Sequence, residues 1–409
     1  MRSKLEIRRR QFLGQMGGLV LGAMILPHAP RLAAQTAANA AQLVTGKDPR
    51  LLVLEALPTV LETPLALLAE SQVTPVEFLF VRNNQQPEQA ATTAAWPATD
   101  WQIELAGLVN QPRSFPLALL TELEAVEREM VVQCSGNSRS LFSRTSPIKG
   151  TAWGRGAMGN VLFRGVPLHR VLDRLEVKID PRARYIAAEG IDVALPGKAD
   201  FEHSLPLDDV LQLGLLATHL NGQPLPAIHG GPVRLVMPGV FATMHIKWLT
   251  RLRFEAEEST NHHHAVRYRM PNRPVSPGTP FTFSLENSRS NWRMNVKSVV
   301  LTPEPGAKLM AGTVEVRGVA FNDGAAKIDS VLVSTDQGQS WRRADLEATS
   351  EPYAWTTWRI SLKPKTGPLS IWTRAIDAWG RSQPLDGAVS WNPEGYEWNG
   401  VEKIDVMVV

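Results

Sequence analysis

The chain has 409 residues, 44% of them hydrophobic, with 43 basic against 40 acidic side chains and one cysteine. That length predicts two domains with additional segments. Six of the basic residues and one acidic residue fall within the first 35, so the remainder is close to neutral and gives no reason to expect nucleic acid or an anionic membrane as partner. A lone cysteine excludes an intrachain disulfide and a Cys-x-x-Cys-His haem site.

Residues 1–35 read as a targeting segment. Arg8-Arg9-Arg10-Gln11-Phe12-Leu13 is a twin-arginine pattern, followed by a short apolar run from Met16 to Leu26. That run is about half of the ~20 residues a membrane-spanning helix needs, so a stable anchor is not expected. The expectation is export in the folded state, with a periplasmic destination. Residues 36–75 are Ala- and Pro-rich and read as an extended N-terminal arm with no chemistry of its own.

Val76–Val81 is strand-like and ends at Arg82-Asn83-Asn84. Trp101–Gly107 alternates with period two and reads as a half-buried strand. Pro116–Glu129 reads as a helix, with Leu117, Leu120, Leu123 and Val126 on one face. The stretch Val131-Val132-Gln133-Cys134-Ser135-Gly136-Asn137-Ser138-Arg139 then places the cysteine at a strand-to-loop corner, because Ser, Gly and Asn favour turns. Arg139, Arg144 and Lys149 follow closely, and cationic neighbours favour the thiolate form. The plain alternative for Cys134 is a small buried hydrophobe. Gly150, Gly154, Gly156 and Gly159 allow close backbone approach to an anion, although a plain loop explains them as well.

Pro167–Leu175 and Asp208–Leu215 read as short helices, and Tyr185–Asp192 as a strand and turn. His262-His263-His264 reads as a solvated loop, since consecutive histidines on an extended segment point to opposite sides. Pro271, Pro274, Pro277 and Pro280 mark a domain boundary at 271–290. Beyond it come short strands at regular intervals: Val296–Leu301, Thr313–Ala320, Ser330–Ser334, Thr357–Leu362, Leu369–Asp377 and Ile404–Val408. With a hairpin-type turn at Asp336-Gln337-Gly338, they predict an immunoglobulin-like sandwich over 291–409. Six tryptophans, Trp341, Trp355, Trp358, Trp372, Trp379 and Trp391, are available for its core or for a subunit interface.

Several of these stretches together resemble the sulfite oxidase family of molybdopterin enzymes. They are Phe80-Val81-Arg82-Asn83-Asn84, Gln133–Arg139, Ile148-Lys149-Gly150-Thr151-Ala152-Trp153, Gly156–Asn160, Asn221–Pro226, His229–Gly239 and Ile246-Lys247-Trp248-Leu249. Their order and spacing carry the likeness from about residue 75 onward, most closely to bacterial sulfite dehydrogenase catalytic subunits. The resemblance implies an α+β chain: a mixed α/β molybdopterin-binding domain over 76–270, then the sandwich as a dimerisation domain. It implies a Mo-molybdopterin cofactor with Cys134 as metal ligand. A soft thiolate suits a redox metal and leaves other positions open to substrate.

By the same resemblance Asn83, Asn84, Asp192, His229, Arg234, His245, Ile246 and Lys247 contact the cofactor. Arg82, Arg139 and Lys149 clamp a sulfite anion, with Trp153 as the wall of that pocket. Where the animal enzymes carry an active-site tyrosine this chain has Phe201, and near the family's second substrate arginine it has Lys327. The implied activity is oxidation of sulfite to sulfate. The implied partners are a c-type cytochrome as electron acceptor and a second copy of the chain or a cytochrome subunit. The alternatives are a sulfane-sulfur dehydrogenase subunit or a sulfoxide reductase of the same fold, a cofactor-free immunoglobulin-like binding protein, and a thiol hydrolase using Cys134 with His203 or His229.

Overall fold

The computed structural model describes residues 39–192, 200–347, 349 and 351–409. The expected targeting segment lies outside the described residues. Strands dominate what is described, and the longest helices, Leu168–Arg174 and Leu207–Leu213, have seven residues each. Among the described residues no helix is long and apolar enough to cross a membrane.

Three sheets build the first half. Leu52–Glu55, Val60–Glu62 and Val81–Arg82 form a three-stranded antiparallel sheet. A second sheet runs Gln223–Pro224, Leu215–Leu220, Met158–Pro167, Val126–Gln133, with Arg234–Val236 paired beside Leu215–Leu220. A third runs Arg113–Pro116, Gln102–Gly107, Leu249–Glu255, Tyr185–Gly190, Glu202–Pro206. Its central strand, Leu249–Glu255, lies parallel to Gln102–Gly107 and antiparallel to Tyr185–Gly190. The helices Leu168–Arg174 and Leu207–Leu213 pack their apolar faces, Leu168, Val171, Leu172, Leu207 and Val210, into the core beside this sheet.

The expected helix over 116–129 is not formed. Leu117–Glu122 is a 3-10 turn, and Val126–Gln133 is an eight-residue strand paired along its full length with Met158–Pro167. The three-residue spacing of Leu117 and Leu120 serves a 3-10 turn as well as a helix. Val126, Val131 and Val132 then gain a ladder and a packed face that an isolated helix would not provide. Val76–Leu79 is likewise a turn, with Phe78 and Leu79 N–H groups bonded to the Pro75 carbonyl, and only Val81–Arg82 is strand.

Residues 39–75 are integrated into the domain. Ala40, Val44, Leu51, Leu61 and Leu67 are buried with Phe78, Val81 and Ile228. The Glu62 carboxylate accepts the N–H groups of Gly154 and Gly156, each at 2.8 Å. It thereby fixes the glycine-rich loop that carries Trp153.

The second half is a two-sheet sandwich. One sheet orders Lys297–Thr302, Val314–Phe321, Thr356–Leu362, Asp345–Leu346; the other Lys308–Leu309, Glu402–Val408, Gly367–Asp377, Ile328–Ser334, Arg342–Arg343. Alternate residues along Gly367–Asp377 and Glu402–Val408 are buried, as a strand with one face on a core requires. Of the six tryptophans, Trp355, Trp358 and Trp391 are buried and Trp379 is exposed. Gly318 leaves room for the Trp358 indole, because a Cβ there would lie 2.4 Å from the ring. The two halves share a core cluster that includes Val131, Met158 and Phe241 from the first and Val299, Phe321 and Trp355 from the second.

Glu62→Ala leaves two N–H groups of the Gly154–Gly156 loop unpaired, at about 1–3 kcal/mol each when buried. The urea midpoint of full-length protein is expected to fall measurably; an unchanged midpoint would show that this carboxylate does not anchor the loop.

Candidate active site

Cys134 follows the last residue of strand Val126–Gln133, and its N–H bonds to the Ala157 carbonyl at 2.9 Å, one step past the ladder. The chain then turns sharply. The Asn137 N–H closes onto the Cys134 carbonyl at 2.9 Å, and Ser138 takes a left-handed conformation with φ of 72°. Asn137 braces the turn from inside: its Oδ1 accepts the Ala157 N–H and its Nδ2 donates to Gln133 Oε1. The second half of the chain holds the turn from outside. The Glu397 N–H donates to the Ser135 carbonyl at 2.8 Å, and Lys297 Nζ donates to Ser138 Oγ at 3.0 Å.

Two cavities meet at this turn, and Cys134, Arg82 and Tyr268 line both. The inner one, about 750 Å³, is bounded by Asn83, Asn84, Asp192, Phe201, His229, Arg234, His245 and Lys247 among others. The outer one, about 1530 Å³, opens past Arg139, Lys149 and Trp153 toward Tyr396 and Trp391 of the second half. Of the thirteen residues singled out from the sequence, twelve line one cavity or both. The exception is Ile246, whose side chain is fully buried in the hydrophobic core while the flanking His245 and Lys247 face the cavity.

The inner cavity is cationic. Lys247 Nζ donates to Asn83 Oδ1 at 2.7 Å, to the Ile228 carbonyl at 2.8 Å and to the Arg82 carbonyl at 3.2 Å. These partners are neutral, and among the described residues Asp192 is the only carboxylate lining this space. Burial holds the Lys247 pKa well below its ordinary value, with Arg234 adding to the effect. Burial also pushes the Asp192 carboxyl up to about 7, opposed by Lys247. Arg234 Nε and His245 Nδ1 are buried with no hydrogen-bond partner in the protein. Orphaned groups of this kind call for a polar ligand. A phosphate-bearing, nitrogen-rich heterocycle such as molybdopterin fits the space and its donors. Arg234 and Lys247 would hold the phosphate, and Cys134 would supply the sulfur ligand.

Cys134 is 5% exposed, and burial raises its thiol pKa despite the opposing pull of Arg82, the Gly136 N–H and Arg139. The basic neighbours Arg82 and Arg139 do pull toward the thiolate, burial opposes them, and a soft metal ion is the partner that would take the thiolate form.

Arg82 donates to Asn84 Oδ1 at 2.7 Å and to the Asn83 carbonyl. Arg139 donates to the Thr151 carbonyl at 3.0 Å and the Glu394 carbonyl at 2.9 Å, and its guanidinium lies 5.1 Å from the Tyr396 ring centre. Neither arginine is bonded to a carboxylate in these contacts, so both keep positive charge available. Lys149 is exposed at the outer cavity, and Trp153 is fully buried, edge-on to Phe80.

A tyrosine hydroxyl does reach both cavities, from Tyr268, which sequence reading missed. Its Oη lies 2.7 Å from Asn84 Nδ2 and 3.0 Å from Asn84 Oδ1, and its ring packs near Phe201 and Tyr396. Tyr268 has a positive φ of 54°, which no local sequence signal marks. Arg267, its neighbour, also lines the outer cavity and pairs with Glu394. Lys327 lines neither cavity.

The histidine run is a short helix, His262–Ala265, rather than a solvated loop. His264 is fully buried between Glu258 and His203. Among the described residues no group of three or more His, Cys, Asp or Glu could hold a metal ion. His203 lines neither cavity, while His229 lines the inner one with Cys134 and has its Nε2 2.8 Å from Lys47 Nζ.

Comparison with known proteins agrees with this geometry. The family described as "Oxidoreductase molybdopterin binding domain" matches residues 90–263, and "Mo-co oxidoreductase dimerisation domain" matches 288–408. The chain is 31% identical over 360 residues to the sulfite oxidase of Gallus gallus, covering 85% of this chain and 76% of that protein. It is 30% identical over 370 residues to the mitochondrial sulfite oxidase of Drosophila melanogaster, covering 85% of this chain and 61% of that protein. The chain thus spans about three fifths of the latter's length. The fold superposes on the sulfane dehydrogenase SoxCD from Paracoccus pantotrophus with a TM-score of 0.71 at 24% identity, covering 84% of this chain and 83% of that one. With a cysteine between a phosphate-suited cavity and a basic vestibule, a sandwich domain behind it and these relatives, the chain belongs to the sulfite oxidase family of molybdopterin oxidoreductases, whose cofactor is Mo-molybdopterin.

Proposed function

We propose that the protein oxidises sulfite to sulfate and passes the electrons to an external c-type cytochrome. The observation that carries this reading is the place of Cys134: one buried sulfur at the junction of a cofactor-sized cavity and a vestibule lined by Arg82, Arg139 and Lys149. When bound, Mo-molybdopterin supplies a two-electron redox centre. The surrounding side chains do the rest. Sulfite is a small anion, and cations in a partly desolvated cleft concentrate it and hold it against its water shell. Arg82 is oriented by Asn84, and the same asparagine holds the Tyr268 hydroxyl. That hydroxyl belongs to a residue lining both cavities and is suited to hydrogen-bond the bound oxyanion. Trp153 walls the pocket with an apolar face.

Converting sulfite to sulfate adds one oxygen from water and releases two protons and two electrons. A single cysteine cannot make a Cys-x-x-Cys-His haem attachment within these 409 residues, and in this reading the electrons leave to a separate carrier. We place the protein in the periplasm, exported folded by the twin-arginine route, as a homodimer or in complex with a cytochrome subunit.

A second reading is favoured by the vestibule itself. It runs from Cys134 past Lys149 to Trp391 and opens to solvent, and Glu55 and Glu394 stand among the cations in its wall. A larger sulfane-sulfur donor suits such a vestibule better. Oxidation of sulfite against ferricyanide or cytochrome c, beside a sulfane-sulfur donor and a sulfoxide with reduced dye, separates these readings. Sulfite turnover with no activity on the others is expected, and the reverse pattern would replace sulfite as the substrate.

Cys134→Ser is expected to abolish turnover with unchanged far-ultraviolet circular dichroism; full activity would remove the cysteine from the metal site. Arg82→Met is expected to raise KM for sulfite about ten- to a hundredfold, from a charge-assisted bond worth roughly 1.5–3 kcal/mol. Protein from tungstate-grown cells should be folded and inactive, as metal analysis beside the sulfite assay would establish.

A further inference from the structure

Two histidines line the inner cavity, and each has one ring nitrogen engaged away from it. His245 Nε2 lies 2.9 Å from the Met237 carbonyl oxygen. A carbonyl only accepts, so that nitrogen carries the proton and Nδ1 keeps its lone pair. His245 Nδ1 is buried with no partner in the protein.

His229 is arranged in the opposite sense. Its Nε2 lies 2.8 Å from Lys47 Nζ, and the same ammonium donates to the Leu79 carbonyl at 2.6 Å and to the Val76 carbonyl. Lys47 is 3% exposed. Burial lowers the Lys47 pKa well below its ordinary value, with Glu77 opposing. With Lys47 as an ammonium, three acceptors use its three N–H bonds, so His229 Nε2 accepts and the imidazole proton sits on Nδ1. Burial, with Lys47, Lys247 and Arg234 nearby, keeps the His229 pKa well below its ordinary value and the ring neutral, while the Val76 carbonyl, which the ring and Lys47 share, pulls the other way.

We propose that Lys47 is a positioning residue that fixes His229 as a hydrogen-bond donor, while the Met237 carbonyl fixes His245 as an acceptor, so that the two rings recognise different parts of the cofactor. A donor beside Arg234 and Lys247 suits a phosphate oxygen. A lone acceptor suits an N–H of the pterin. Second partners of this kind commonly set the tautomer of a functional histidine. Lys47 lies outside the matched family region of residues 90–263, in the segment whose composition suggested an inert arm. The inference rests on the inner cavity being the molybdopterin site.

The test reads the tautomers directly. Full-length protein labelled with 15N-histidine is made in a host that cannot synthesise the pterin, and again with cofactor. Two-bond nitrogen–proton correlations are assigned by the peaks lost in His229→Gln and His245→Gln. The expected pattern in cofactor-free protein is Nδ1–H for His229 and Nε2–H for His245. Nε2–H at His229, shared between a neutral Lys47 amine and the Val76 carbonyl, would overturn the proposal. Lys47→Met should mix the His229 tautomers and lower the pterin content of purified protein about tenfold, the effect of roughly one hydrogen bond, and Lys47→Arg should restore much of it. Unchanged tautomer and pterin content in Lys47→Met would also overturn it. If Lys47→Met does not fold, the tautomers of the native chain decide. Native protein without pterin would undo the cofactor assignment instead, and leave the tautomer result standing.

Discussion

Buried positive charge is the constraint around which this protein is arranged. Arg82, Arg234 and Lys247 face one cavity, with Asp192 as the only lining carboxylate among the described residues. Cations removed from water are costly unless each N–H finds an acceptor. Here many of those acceptors are neutral: the carbonyls of Arg82 and Ile228 and the Asn83 amide for Lys247, and those of Val76 and Leu79 for Lys47. The irregular paths of residues 76–84 and 226–231 make sense on this basis. They turn carbonyl oxygens toward lysines whose charged form burial disfavours.

Position is the second requirement, and it is shared between the two halves of the chain. The cysteine turn is anchored from beneath by the ladder between Val126–Gln133 and Met158–Pro167. From above it meets the Glu397 N–H and Lys297. Arg139 bridges both, bonded to Thr151 on one side and Glu394 on the other, under the Tyr396 ring. A shift of the sandwich domain would therefore move the vestibule wall and the cysteine loop together. The shared cluster of Val131, Met158, Phe321 and Trp355 resists such a shift.

The chemistry was legible where residue type and spacing are themselves distinctive. Cys134 at a Gly-Asn turn, the Arg82-Asn83-Asn84 corner and the His229–Gly239 segment each carry their meaning in one short stretch, and the structure gathers them around one space. The sandwich was legible because period-two burial is written directly into strands such as Gly367–Asp377. The stretch over 116–129 was misread because three-residue apolar spacing does not distinguish a helix from a 3-10 turn leading into a strand. Tyr268 was missed because its role comes from a backbone turn and from Asn84, 184 residues away in sequence. Lys47 was missed because its partners, Val76, Leu79 and His229, become neighbours only when residues 39–62 fold onto the domain.

The sequence by itself determined the class of chemistry, the two-domain order and most of the residues around the sulfur, since these depend on local residue identity and periodicity. Only the tertiary structure decided that Lys47 meets His229 and the Met237 carbonyl meets His245, that burial opposes the basic neighbours at Cys134, and that the N-terminal segment belongs to the site. Each of those depends on distances between groups far apart in the chain, which no local pattern encodes.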